Sequence, residues 1–189
     1  MEEEKLKISA VKYWLNFTWE ILKIVIISLA IIIPIRYFLI QPFYVRGASM
    51  DPNFWDGDYL IIDEISYRFT TPERGDVIVF HYPLDPSQFF IKRIIGLPGE
   101  TIKISDGKII IYNKDVSGEG FILDESAYLE DSYTPGNLEI SLGKDEYFVL
   151  GDNRIASSDS RRWGGVAKHY ITGRAWLRAW PFNRAGAVD

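Results

Sequence analysis

The sequence contains no cysteine and only two histidines, His81 and His169, among its 189 residues. The absence of cysteine excludes disulfide bonds, thiolate metal ligands and cysteine nucleophiles, and two histidines cannot form a histidine-rich metal site. Covalent catalysis would therefore need a serine or threonine with a nearby base. We interpret His81 as a strand residue with a local hydrogen-bond partner and His169 as solvated in a polar loop, which leaves lysine as the candidate base.

The sequence also lacks an excess of positive charge. Its net charge is -5, and no basic stripe stands out, so a nucleic-acid partner is not expected. It has no internal repeat and no glycine-rich phosphate-binding loop. With 47% hydrophobic and 15% aromatic residues, the chain can form one packed domain with an appendage.

A long apolar segment lies near the N-terminus. Ile24–Ile35 carries no charge, and Trp14–Ile33 supplies the 20 residues that a helix needs to cross about 30 Å of hydrocarbon. Glu20 and Lys23 are spaced to pair on one face, and Pro34 should end or kink the helix. The segment predicts a single transmembrane helix.

Two alternatives to a membrane span are a cleaved export signal and a buried core helix. The small residues that an export signal needs after its apolar core, Ser28–Ala30, lie inside the core instead. Lysines before the segment outnumber the arginines soon after it, which favours a cytoplasmic N-terminus. We expect residues 1–40 to be a tail and anchor in the cell membrane, in contact with lipid, and residues 41–189 to be an extracytoplasmic domain.

The remainder of the chain has the pattern of an antiparallel β-domain. Asp106-Gly107 separates two alternating stretches, which is a strong hairpin signal, and no long helical period follows Pro52. Residues 117–143 are polar and acidic and are expected to be a loop-like insertion. The predicted strands are rich in β-branched or aromatic residues: "YLIID", "DVIVFHY", "FFIKRII", "TIKIS", "KIIIY", "EYFVL" and "RAWLRAW".

Three stretches could carry chemistry. The first, "YVRGASMDPNFW", places Ser49 among turn formers directly after the apolar segment, and by itself it reads equally as a simple turn. The second places Lys92 among apolar neighbours in "QFFIKRIIGLPGE", where an edge strand with two exposed cations, Lys92 and Arg93, is the alternative. The third, Gly151–Gly165, is a polar loop whose acidic and basic residues can pair internally.

A lysine acts as a base only when its amine is neutral. The ordinary lysine pKa of about 10.4 makes deprotonation at neutral pH cost about 4–5 kcal/mol. Burial can lower a lysine pKa by about 3–5 units, whereas arginine stays charged. Desolvation of Lys92 would therefore be sufficient to make it a base.

Taken together and in this order, these stretches resemble the type I signal peptidases, membrane-anchored serine proteases that remove export signals. The serine box reads "GASMDPNF", the lysine box reads "RGDVIVFHYP" followed by "FFIKRIIGLPGE", and the late box reads "GDNRIASSDSRRWG". The resemblance covers most of the chain outside Ser117–Gly143. It implies a mainly β fold of the signal-peptidase type with one N-terminal transmembrane helix.

The resemblance also implies roles for individual residues. Ser49 would be the nucleophile and Lys92 its general base, and Ser157 would hydrogen-bond the Lys92 amine. Asp159 and Arg161 would form an ion pair supported by two neighbours in the late box. Those neighbours are Asp152 and Asn153. The pocket for the small residue before the cleaved bond would be lined by Met50, Phe90 and Ile91.

One position departs from the family pattern. Some members have a serine where this chain has Gly47, and glycine has no hydroxyl to stabilise an oxyanion. Gly47 would instead let the scissile carbonyl of the substrate approach closely, with the Ser49 N–H as one oxyanion donor. The implied substrates are exported preproteins, and acyl transfer through Ser49 needs no metal or organic cofactor.

Two other functions share parts of this pattern. Self-cleaving repressors of the DNA-damage response resemble the serine and lysine boxes, but they should carry a DNA-binding helical domain where this chain has its apolar segment. A membrane-tethered β-module that only binds a partner would not need Ser49, Lys92 and Ser157 together. The sequence leaves the oligomeric state open.

Overall fold

A computed structural model describes residues 2–38, 40–113 and 120–188. It divides into two compact units, Met1–Ile40 and Gln41–Asp189.

The first unit is one helix, α1 (Glu2–Phe38, 37 residues). Its stretch Lys12–Ile33 is long and apolar enough to cross a membrane, and none of it is buried inside the protein. The Lys23 ammonium donates to Glu20 Oε1 at 3.0 Å, as their spacing predicts. The helix does not end at Pro34, as the sequence had suggested it could, because an interior proline removes only one backbone hydrogen bond and the helix continues to Phe38.

The second unit is built on two antiparallel sheets. The eight-stranded sheet has the order β1-β2-β11-β3-β4-β9-β10, with β12 paired to β11, and the four-stranded sheet has the order β7-β6-β5-β8. The helices of this unit are single turns: α2 (Ser66–Phe69), α3 (Ser160–Trp163), and the 3-10 turns Lys168–Tyr170 and Phe182–Arg184. The strands are β1 (Ile40–Tyr44), β2 (Tyr59–Asp63), β3 (Val77–Tyr82), β4 (Asp85–Gly96), β5 (Thr101–Ser105), β6 (Lys108–Tyr112), β7 (Phe121–Ile122), β8 (Leu138–Ser141), β9 (Glu146–Leu150), β10 (Val166–Ala167), β11 (Ile171–Trp180) and β12 (Gly186–Ala187).

The predicted mainly antiparallel β fold with one N-terminal apolar helix is confirmed. Each predicted strand forms, and β5 and β6 are joined by the expected hairpin. Asp106 and Gly107 have φ of 53° and 76°, which is the left-handed backbone of a type I′ turn.

The segment 117–143 is not purely loop-like. Its described part contributes β7 and β8 to the four-stranded sheet, while residues 114–119 lie outside the described residues. Leu138 and Ile140 pair with Ile104 and Ile102 of β5. The stretch "LEIS" is therefore a strand that packs against the core, although the acidic residues around it favoured a loop. Glu125 in the same segment is also buried.

The strand that carries Lys92 lies inside the large sheet. β4 pairs with β3 on one side and with β9 on the other, so it is not an edge strand. Lys92 and Arg93 are each only 3% exposed. The alternative of an edge strand with two exposed cations is therefore wrong, and both charged side chains need partners inside the fold.

Candidate active site

The loop that carries Ser49, called the serine loop (residues 46–57), is closed by backbone hydrogen bonds between its ends. Val45 N–H donates to Asp58 O at 2.9 Å, and Gly57 N–H donates to Val45 O at 3.0 Å. Gly47 has a φ of +82°, a conformation that glycine adopts without strain, and its N–H donates to Asp56 Oδ1 at 2.7 Å. The sequence forms a turn here, and the turn holds Ser49 in one place.

Met50 fixes the serine loop to the core of the domain. It is 0% exposed and packs in a core with Val45, Phe54, Leu60 and others. Its side chain lies in the core and is not among the residues that line the cleft at Ser49, so its expected role in the substrate pocket stays a prediction. Its burial directly after Ser49 restrains the backbone of Ser49.

The side chain of Lys92 extends from β4 and contacts Ser49. Its ammonium Nζ donates to Ser49 Oγ at 2.8 Å and to Ile91 O at 2.8 Å, and it lies 5.4 Å from the centre of the Phe90 ring. Burial lowers the pKa of Lys92 from 10.5 to about 8, although the carboxylates of Asp159 and Asp152 partly oppose this shift. A substantial fraction of the amine is then neutral near pH 8 and can accept the Ser49 proton.

We call the polar loop Gly151–Gly165 the late loop. Its residues Asp152 and Arg154 make ion pairs outside the loop. Arg93 donates to both Asp152 oxygens, with Nε–Oδ1 at 2.9 Å and Nη2–Oδ2 at 2.8 Å. Arg154 donates to both Glu125 oxygens, with Nη1–Oε2 at 2.7 Å and Nη2–Oε1 at 2.5 Å. The expected internal pairing is wrong for these two residues, since each buried charge is neutralised by a distant segment.

Asp159 and Arg161 do pair within the loop. Arg161 donates to both Asp159 oxygens at 2.8 Å, and Asp159 also accepts from Gly151 N–H at 3.2 Å. Asp159 caps the one-turn helix α3 by accepting from Arg161 N–H. The carboxylate thus fixes the start and the end of the loop against each other.

Asn153 connects the late loop to the serine loop. Its backbone N–H donates to Ser49 O at 3.2 Å, its side-chain Nδ2 donates to Ala48 O at 3.0 Å, and its Oδ1 accepts from Ala156 N–H at 3.0 Å. The sequence analysis expected Asn153 to support the Asp159–Arg161 pair, whereas the structure places it against the backbone carbonyls of Ala48 and Ser49.

The expected hydrogen bond between Ser157 and the Lys92 amine is not formed. Ser157 Oγ is buried and has no hydrogen-bond partner within the described residues. A Cβ added to Gly151 would collide with both the Ser157 side chain and Ser49 O, so Gly151 packs closely against both. Ser157 thus lies near the serine loop, and its hydroxyl has no partner in the described residues. No local sequence signal predicts this proximity of Ser157 to the serine loop.

A cleft of about 470 Å³ opens at Ser49 and Lys92. Phe90 and Ile91 line this cleft, whereas Gly47 and Met50 are not among its lining residues. The substrate-binding role expected of these residues stays a prediction. The alternation of residues in β2 predicts that Leu60 and Ile62 face inward, and both are buried. It does not predict that Leu60 lines this cleft. The lining residues that sequence reasoning missed include Phe43, Val45, Leu60, Val79 and Ser158.

Among residues 2–38, 40–113 and 120–188, no group of three or more acidic or histidine side chains is placed to hold a metal ion. His81 Nδ1 lies 2.7 Å from Pro86 O, so its ring has a local backbone partner.

Residues 18–180 match the family model described as signal peptidase, peptidase S26. A protein named probable signal peptidase I-2 from Synechocystis sp. is 39% identical over 178 residues, which cover 90% of this chain and 78% of the relative. A protein named signal peptidase I from Leptolyngbya laminosa is 38% identical over 174 residues, 88% of this chain and 82% of the relative. A solved structure of a signal peptidase I from Enterococcus faecalis superimposes with a TM-score of 0.44 at 32% identity, covering 56% of this chain and 97% of that one.

Proposed function

Because this chain belongs to the peptidase S26 family of signal peptidases, we propose that Ser49 and Lys92 form its catalytic dyad. The chain is a serine-type endopeptidase that removes signal peptides from preproteins. The observation that carries the assignment of the dyad is the 2.8 Å contact between Lys92 Nζ and Ser49 Oγ, with the lysine buried and its pKa lowered to about 8.

The reaction follows from this contact. The neutral Lys92 amine takes the Ser49 proton as Oγ attacks the scissile carbonyl of the preprotein, and the Ser49 N–H stabilises the oxyanion. The lysine ammonium then protonates the leaving amine, the C–N bond breaks, and an ester to Ser49 remains. Water, deprotonated by Lys92, hydrolyses that ester and releases the signal peptide.

The other assigned residues act by positioning. The Asp159–Arg161 pair holds the late loop closed, and Asn153 holds the Ala48 and Ser49 carbonyls. Asp152 neutralises Arg93, the residue next to the base. We assign Ser157 to the packing around the dyad, because its hydroxyl is buried near the serine loop without a partner in the described chain.

We expect cleavage to require a small residue immediately before the scissile bond. Phe90 and Ile91 flank the dyad in the cleft, and their bulk leaves little room beside the Ser49 hydroxyl. Replacing an alanine at this position of a model preprotein with phenylalanine should lower kcat/KM by about 5- to 150-fold, because overpacking against fixed walls costs about 1–3 kcal/mol. Mass spectrometry of the products would measure both the rate and the cleavage site. Similar rates for alanine and phenylalanine substrates would show that Phe90 and Ile91 do not wall this pocket.

We also propose that residues 1–40 anchor the enzyme in the cell membrane by a single span and that residues 41–189 form an extracytoplasmic catalytic domain. The support is the apolar helix Lys12–Ile33 and the three lysines before Trp14 against two arginines soon after Ile33. The signal segments of the substrates are themselves apolar.

The cysteine-free sequence makes this topology directly testable by labelling. A single cysteine at Leu84, which is 71% exposed, should react with an impermeant thiol reagent in intact cells. One at Lys5 should react only after lysis. The opposite pattern would invert the topology, and extraction of the protein by carbonate would contradict the membrane span.

A further inference from the structure

A second cavity, of about 760 Å³, borders the serine loop on the side that follows Ser49. Within the serine loop and the residue before it, the catalytic cleft is lined by Val45, Arg46 and Ser49. The second cavity is lined by Asp51, Pro52 and Asn53, together with residues of the late loop and of segment 126–133. The serine loop therefore separates two concave sites.

The wall of the second cavity touches the nucleophile's own backbone. Asn153 lines the cavity, and the same residue holds Ala48 O at 3.0 Å and Ser49 O at 3.2 Å. Asn53 forms another part of the wall, and its Nδ2 donates to both Asp152 Oδ2 and Tyr128 O at 2.8 Å. These bonds join the serine loop, the late loop and segment 126–133 into one surface.

The charges around the second cavity do not cancel. Asp152 and Arg154 line it, but each is neutralised by a buried partner, Arg93 and Glu125 respectively. The other charged residues that line it are Asp51, Glu130 and Asp131, and no ion pair to any of these three forms within the described residues. The cavity therefore presents uncompensated negative charge beside apolar surface, including Ile155, which is 84% exposed.

We propose that this cavity binds the preprotein segment that follows the scissile bond and that it favours cationic side chains there. The inference rests on the proposed dyad. When the acyl group of the substrate occupies the catalytic cleft, the departing chain must leave Ser49 in the other direction, and the cavity beyond Asp51 offers a site continuous with the serine loop. The negative charge then attracts lysine or arginine and repels glutamate or aspartate.

A competition assay tests the proposal. Three model preproteins share one signal peptide and carry two lysines, two glutamines or two glutamates at the second and third residues after the scissile bond. The enzyme cleaves all three substrates in one reaction mixture, and mass spectrometry of the products gives the ratios of their kcat/KM values. Because the substrates share the same enzyme, these ratios do not depend on the fraction of enzyme that is folded. We expect the lysine substrate to exceed the glutamate substrate about tenfold at low salt, with a smaller ratio at high salt because screening weakens exposed charges.

Two double variants distinguish the effect of the charges in the cavity from the effect of the protein's net charge. The double variant Glu130→Gln, Asp131→Asn removes two charges from the cavity, and the asparagine can still accept the Tyr133 N–H that Asp131 binds at 3.0 Å. We expect its preference to fall to about threefold or less. The control, Glu139→Gln with Asp145→Asn, changes the net charge equally at exposed positions outside the cavity lining and should keep the wild-type ratio.

The possible outcomes are distinct. Equal cleavage of the three substrates by the wild type would overturn the subsite while leaving the dyad intact, and so would equal loss of preference in both double variants. Retention of cleavage by Ser49→Ala would overturn the proposed dyad and this inference with it.

Discussion

Ser49→Ala is expected to lower kcat for preprotein cleavage by at least about 10³-fold while leaving the domain folded. Loss of a covalent nucleophile removes the acyl-enzyme route entirely. Near the base, the change removes the hydroxyl that accepts a hydrogen bond from Lys92 Nζ at 2.8 Å. The free energy of unfolding should therefore change by only about 1 kcal/mol.

The measurement combines single-turnover cleavage of a model preprotein with denaturant unfolding of the same preparation. Ser141→Ala is the matched control, because Ser141 lies exposed on β8 of the other sheet, and it should retain the wild-type rate. A Ser49→Ala protein that keeps more than about a tenth of wild-type kcat would assign the nucleophile to another residue. Loss of folding would show as an early unfolding transition, which separates it from loss of chemistry.

Lys92→Met is expected to abolish cleavage and to make the domain more stable at neutral pH. Methionine keeps the length and the apolar stem of the buried side chain but removes the amine that must act as base. Activity should fall by about 10²–10⁴-fold, the range of a general base. The gain in stability arises because the folded state no longer has to hold a desolvated ammonium.

The pH dependence of this gain gives the sharper test. Burial lowers the pKa of Lys92 from 10.5 to about 8, so between these values the unfolded chain binds more protons than the folded one. Wild-type stability therefore rises with pH in this window, and the full penalty of about 3 kcal/mol is present below pH 8. The advantage of Lys92→Met over wild type should shrink by about 2–3 kcal/mol between pH 7 and pH 10.

Denaturant unfolding of both proteins at pH 7 and pH 10 measures the two differences. Lys103→Met is the control, because Lys103 lies on β5 with its side chain 41% exposed beside Glu139, and its difference from wild type should be nearly the same at both pH values. Equal advantages for Lys92→Met at pH 7 and pH 10 would contradict a buried base at this position.

The sequence by itself determined the strands, the apolar helix and the two residues that we propose as the dyad. The strand periodicities and the Asp106-Gly107 turn are local signals, because backbone conformation depends mainly on neighbouring residues. Ser49 and Lys92 stood out because their types are unusual in their surroundings. A serine followed a membrane-like segment, and a lysine was placed among phenylalanine and isoleucine. The family's motif order then joined them.

The tertiary structure alone decided which side chains meet. Lys92 is a buried residue because β4 lies between β3 and β9, and no local pattern distinguishes an interior strand from an edge. Arg93 and Arg154 pair with Asp152 and Glu125, 59 and 29 residues away, because burying a charge is costly unless a partner is brought to it. The burial of Met50 also depends on residues that are distant in sequence. Its side chain packs in a core with residues of β2, β3 and β11, and burying an apolar side chain is more favourable than exposing it to solvent.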